Sequence, residues 1–149
     1  MPDSNITKRA LAQAMKELMR TEPFSKISVG DICQACSISR KSFYYHFRDK
    51  YDLVNWIFDS EFLQTIRPEA YHSGWALLAD MCAYFYREQT FYRSALLISR
   101  QNSFREYFGQ AIAPIMSFFA QDIFDGVEHV DFYVTFFSDA ILISIIRWL

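Results

Sequence analysis

The sequence is poor in the residues that punctuate or staple a chain. Four glycines and four prolines in 149 residues exclude a collagen-like or low-complexity chain. Three cysteines cannot all pair within one chain, and nothing in the sequence suggests secretion, so a disulfide framework is not expected. The first apolar stretch is interrupted by Lys8, Arg9, Gln13 and Lys16, unlike a secretory signal. The longest apolar region, residues 132–149, contains Asp139 and Arg147. A charge at mid-bilayer costs about 3 kcal/mol, so no membrane span is expected. Strand-like alternation and internal repeats are also missing. The chain reads as all-α, soluble and cytoplasmic.

Apolar residues, by contrast, are abundant: 52% of the chain is hydrophobic and 18% aromatic. That excludes disorder and calls for a large core, a ligand cavity or a buried interface. The charge is divided. Residues 1–50 carry nine basic groups against five acids, whereas residues 51–149 carry six against twelve. All five lysines precede residue 51, and 22 of the 27 aromatics follow it. A basic module joined to an acidic, aromatic-rich one points to a polyanion at the first end.

Apolar positions from Ile6 to Met19 recur at steps of three and four, predicting a first helix that ends near Arg20 before Pro23. Ser28-Val-Gly-Asp31 has the form of a capping box opening a short second helix with Ile32, Ala35 and Ile38 as core candidates. Ser39 can cap a third, Arg40–Phe47, with Phe43 and Phe47 inward. A fourth starts near Asp49-Lys50 and is expected to end at Arg67-Pro68. Three short helices with a tight second connection are the arithmetic of a helix-turn-helix DNA reader. The second helix would present free N–H groups to a phosphate, with Gly30 allowing close approach. The third would enter the major groove, where Arg40 can pair with guanine and Lys41 and Ser42 can meet base or phosphate.

The run Ile27-Ser-Val-Gly-Asp-Ile-Cys-Gln-Ala-Cys-Ser-Ile-Ser39, followed by Arg40-Lys-Ser-Phe-Tyr-Tyr-His-Phe-Arg-Asp-Lys50, resembles the N-terminal signature of TetR-type bacterial transcription regulators. Within that family it is similar to a subgroup that includes regulators of dihydroxyacetone kinase operons. The resemblance implies phosphate contacts from Ser28, Ser42, Tyr44 and Lys50, base-edge contacts from Arg40, Lys41 and Tyr45, and His46 at the backbone. Tyr44 and Tyr45 could instead be packing residues. Ser37 stands where the family usually has the turn glycine, and Lys41 where many relatives have a small residue. Cys33 and Cys36 have the spacing of a redox or zinc pair, but without a second pair they read as small core hydrophobes. No metal or cofactor is expected.

Two units follow: residues 1–48 as the DNA-binding domain, and residues 49–149 as a helical effector-binding and dimerisation domain. In the second, helices are expected from Trp75 to Gln89, from Phe91 to Ile98, and from a cap at Asn102 or Ser103 to Phe124, kinked at Pro114 and closed by Asp125-Gly126. Residues 130–149 are apolar on almost every side, so one face should cover the core and the other a second subunit. The family's two-helix dimerisation mode implies an interface including Phe132, Phe136, Ile141 and Ile145. The chain stops mid-pattern at Leu149, so a C-terminal truncation is expected. The family commonly holds a small inducer between helices, and Trp56, Trp75, Tyr84, Phe85, Tyr92, Phe104, Phe108 and Phe119 are the lining candidates, core packing being the alternative for each.

The resulting expectation is a homodimeric regulator of a palindromic operator, a repressor released by a small-molecule effector. The alternative is an activator or adaptor controlled by a partner protein. A protein-interaction module with no ligand is a further competitor. No nucleophile–base–orienter pattern or Gly-rich phosphate loop suggests an enzyme.

Overall fold

The computed structural model describes residues 4–98, 104–120 and 128–149. The described residues form α-helices and two short 3-10 turns, with no strand among them. The first three helices are α1 (Ser4–Met19), α2 (Val29–Ala35) and α3 (Arg40–His46). They pack on one another around Leu11, Met15, Ile32 and Phe43, all fully buried. The capping box at α2 is complete: Asp31 N–H donates to Ser28 Oγ (3.2 Å), and Ser28 N–H donates to Asp31 Oδ2 (2.8 Å). The Ser28 hydroxyl, which donates to Asp31 Oδ2 at 2.6 Å, and then the Ser28 N–H hold the exposed Asp31 carboxyl below its ordinary pKa. Ser39 caps α3 by accepting the Ser42 N–H at 3.1 Å. Ala35, expected inside, is exposed, and Cys33 takes the core position.

The turn between α2 and α3 closes through paired bonds, Ile38 N–H to Cys33 O (2.9 Å) and Ser37 N–H to Gln34 O (3.3 Å). This pattern requires a left-handed residue at Ser37, whose φ is 56°. A side chain there costs about 1–2 kcal/mol, partly offset by the chain entropy a glycine would lose. Ser37→Gly is therefore expected to stabilise the protein by about 0.5–1 kcal/mol, measured as a higher denaturant midpoint with an unchanged slope.

The helix α4 (Lys50–Glu61) is capped by Asp49 through the Tyr51 and Asp52 N–H groups. It packs on both α1 and a C-terminal helix, α7 (Phe104–Ala120). It ends earlier than Arg67-Pro68 suggested. Phe62 turns into the core, and the backbone tightens into 3-10 turns at Leu63–Thr65 and Pro68–Ala70. Thr65 Oγ1 donates to the Phe62 carbonyl at 2.6 Å, satisfying an acceptor the helix no longer uses. Then come α5 (Gly74–Arg87), capped by Ser73, and α6 (Gln89–Leu96), close to their expected ranges. Next is α7, which continues through Pro114, and last α8 (Val130–Trp148). The expected cap at Asn102 or Ser103 and the closure at Asp125-Gly126 lie outside the described residues. None of the described helices is long and apolar enough to cross a membrane.

The C-terminal core is built around the ring of Phe58. It lies 5.4–6.3 Å, centroid to centroid, from the rings of Phe62, Tyr84, Phe85, Tyr92, Phe104 and Phe108. Five of the expected cavity residues (Tyr84, Phe85, Tyr92, Phe104 and Phe108) are thus buried in packed core. Their spacing turns them inward correctly, but α4 delivers Phe58 into their midst, so the rings meet one another. Trp56 is displaced too: it packs edge-on against Phe47 at 5.8 Å, at the joint of the first four helices.

Candidate nucleic-acid interface and effector cavity

The exposed face of α3 carries the cationic and aromatic side chains together. Arg40, Lys41, Tyr44 and Tyr45 are exposed, Tyr45 to 82%, whereas Phe43 on the opposite side is fully buried. Tyr44 and Tyr45 therefore do not serve as core residues. Ser42 and His46 are half-buried on the flanks, and Ser28 is exposed at the start of α2. A large, mostly exposed tyrosine on the same helix as two cations can reach base edges or stack on a sugar without first breaking any core contact.

Gly30 also makes room for a side chain of α3. A Cβ built there would stand 2.3 Å from Arg40 Nη2, so the guanidinium lies across the space that a side chain would fill. Gly30→Ala must push the Arg40 head away. We expect stability to stay within about 1 kcal/mol of the parent while the base preference at the position met by Arg40 changes. Thermal unfolding and a repeated duplex selection would read the two effects.

Lys50 also departs from its expected role. Its ammonium turns inward and donates to the carbonyls of Phe24 and Ile27, each at 2.7 Å, and sits 4.3 Å from the Phe24 ring centroid. It ties the loop after α1 to the start of α4. Cys33 and Cys36 are free thiols, and burial raises the pKa of both, which disfavours the thiolate that metal binding and redox exchange require. Among the described residues no cluster of His, Cys, Asp and Glu could hold a metal ion.

A cavity of about 440 Å³ lies between α5, α7 and α8, with Phe62 in its lining. Of the expected lining residues, only Trp75 and Phe119 reach it; Leu77, Leu78, Met81, Ile112, Ile115, Met116, Val134 and Phe137 complete most of its wall. Among the described residues no charged one lines it, and the Ser73 hydroxyl is engaged in capping α5. Sequence reasoning missed the aliphatic wall because Leu, Ile and Met at helical spacing carry no signal that separates cavity from core.

The helix α8 divides as expected into two faces. Val134, Ser138, Leu142 and Ile145 are buried, while Phe132, Phe136, Phe137, Ile143 and Trp148 are exposed. Of the four expected interface residues, Phe132 and Phe136 face outward. Ile145 is in the core and Ile141 lines the cavity, because these positions fall on the side of α8 that packs on α7.

Residues 7–57 match a family model described as bacterial regulatory proteins, tetR family, and residues 75–149 match one described as a transcriptional regulator C-terminal region. The chain belongs to the tetR family. This tetR-family chain is 33% identical over 109 residues to the HTH-type dhaKLM operon transcriptional activator DhaS of Lactococcus lactis subsp. lactis (strain IL1403). The matched region covers 72% of this chain and 57% of that relative, so the match spans little more than half of the relative's length. A solved structure of a dihydroxyacetone kinase operon activator DhaS is similar with a TM-score of 0.64 and 27% identity, covering 95% of this chain and 85% of that one. The helices α2 and α3 lie within the stretch that matches the tetR family model.

Proposed function

We propose that this regulator binds a two-fold symmetric duplex as a homodimer and activates transcription of a neighbouring operon. The observation that carries the reading is the exposed α3 face, which presents Arg40, Lys41 and Tyr45 together; in this reading these three meet base edges. Ser28, Ser42 and Tyr44 meet phosphates, and His46 lies beside the backbone. Phe132 and Phe136, 64% and 55% exposed on α8, form the centre of the dimer contact. Activation is preferred to the family's usual repression because the similar sequence and the similar solved structure both carry the name of the operon activator DhaS. The uncharged cavity wall supports a largely apolar, neutral small molecule as effector rather than a phosphorylated one.

Selection of bound duplexes from random DNA at two salt concentrations, with protein mass measured in solution, tests this reading. A palindromic site and a dimeric mass are expected. Binding without sequence preference at both salts would overturn it. In the same assay Arg40→Ala should cost about 1–3 kcal/mol and relax preference at one base of each half-site. An equal loss on every duplex would instead make Arg40 a phosphate contact.

A further inference from the structure

One polar cluster lies at the joint between the reading head and the remaining helices. Lys16, in the second half of α1, is 16% exposed along its side chain. Its ammonium donates to Glu61 Oε1 and Oε2 at 2.7 and 2.6 Å, and to Glu88 Oε2 at 3.1 Å. Glu61 ends α4, and Glu88 joins α5 to α6, so one cation from the DNA-binding side holds two separate elements of the C-terminal side. Glu61 is itself braced: Tyr84 Oη donates to Glu61 Oε2 at 3.1 Å and pairs with the buried Tyr92 hydroxyl at 2.7 Å.

The next residue along the chain faces the cavity. Phe62 is part of its lining, and the Phe62 ring stacks on Tyr84 with centroids 5.0 Å apart at 27°. A displacement of Phe62 therefore meets two hard links to the cluster. One is the peptide bond to Glu61, and the other is the Tyr84 ring whose hydroxyl holds the Glu61 carboxylate. Closely packed rings pass on a displacement because there is little free volume to absorb it.

We propose that Lys16 is a positioning residue that couples the cavity to the DNA-reading helices, with Phe62, Tyr84 and Glu61 as the connecting path. Occupancy of the cavity sets the place of Phe62, Phe62 and Tyr84 set the carboxylate of Glu61, and Lys16 follows it, carrying α1. Because α1 packs directly on α2 and α3, the separation and tilt of the two α3 helices in a dimer change with it. The proposal rests on the DNA-binding reading above.

The test is a double-mutant cycle in the full chain on the selected duplex, using Lys16→Met, Phe62→Leu and the double variant, with thermal unfolding of each. Each single variant is expected to change duplex affinity by about fivefold or more, the lower end of ordinary coupling between sites. Residues acting along one path do not add, so the double variant should fall within about twofold of the larger single effect. Lys16→Arg, which keeps a cation with several donors, should restore the parent affinity; if Lys16→Met unfolds early, Lys16→Gln replaces it. Multiplying single effects, or an unchanged affinity in Lys16→Met, would overturn the coupling while leaving the regulator reading intact. A parent protein that selects no duplex would overturn both.

Discussion

Replacing Phe58 by Ala is expected to lower the stability of the protein by about 3–5 kcal/mol. Phe58 is fully buried and meets six other rings, drawn from α4 to α7. Its removal takes away the transfer free energy of an aromatic side chain and leaves a hole that its neighbours cannot close, since each is already held by other rings. Tyr92, for example, packs on Phe85 at 4.6 Å, Phe91 at 4.9 Å and Phe104 at 5.3 Å. Two hydroxyls inside the same cluster add to the cost of loosening it. Burial raises the pKa of both Tyr84 and Tyr92, so at neutral pH they remain neutral and donate hydrogen bonds. Denaturant unfolding followed by tryptophan fluorescence measures the loss. A change below about 1 kcal/mol would mean that the cluster is not the centre of the core. Phe58→Leu, which keeps most of the volume, should recover a large part of it.

The second large effect belongs to Lys50. Lys50→Met keeps the aliphatic stem but deprives the Phe24 and Ile27 carbonyls of a charged donor. Hydrogen bonds to a charged group are worth about 1.5–3 kcal/mol each, and the freed carbonyls recover part of this from water, so a net loss of about 2–3 kcal/mol is expected. A phosphate-binding lysine would behave differently. It would leave stability nearly unchanged and reduce the slope of log affinity against log salt by about one unit. The expected result is lower stability with the slope retained. The opposite pair of results would return Lys50 to the DNA surface.

These two residues illustrate which features are legible before the fold is known. Local hydrogen bonding follows from neighbours in sequence, and there sequence and structure agree. The Ser28–Asp31 box, the Ser39 cap and the turn through Ser37 each depend on groups within a few residues of one another. The faces of α3 are equally accessible, because a helical period sorts Phe43 inward and Tyr45 outward whatever surrounds them. Lys50 escapes such reasoning since its partners lie 23 and 26 residues away. Nothing near Asp49-Lys50 signals that an open loop after α1 will bring two carbonyls to the ammonium.

By itself the sequence determined the all-helical class, the three-helix reading head, its caps and its turn, and the charge division that gathers the cations at that end. It also determined that α8 is apolar on almost every side, and part of that apolar surface is exposed among the described residues. The tertiary structure decided which aromatics pack on one another and which face space. That choice depends on where α4 places Phe58 and on how α5, α7 and α8 splay, and on neither count do the aromatic positions themselves carry information. It also decided that Ile141 and Ile145 turn inward, and that Lys16 meets Glu61 and Glu88 across 45 and 72 residues. The physical reason is range. Periodicity and capping act over one or two helical turns, whereas a cavity or an ionic cluster exists only after distant helices have been packed together.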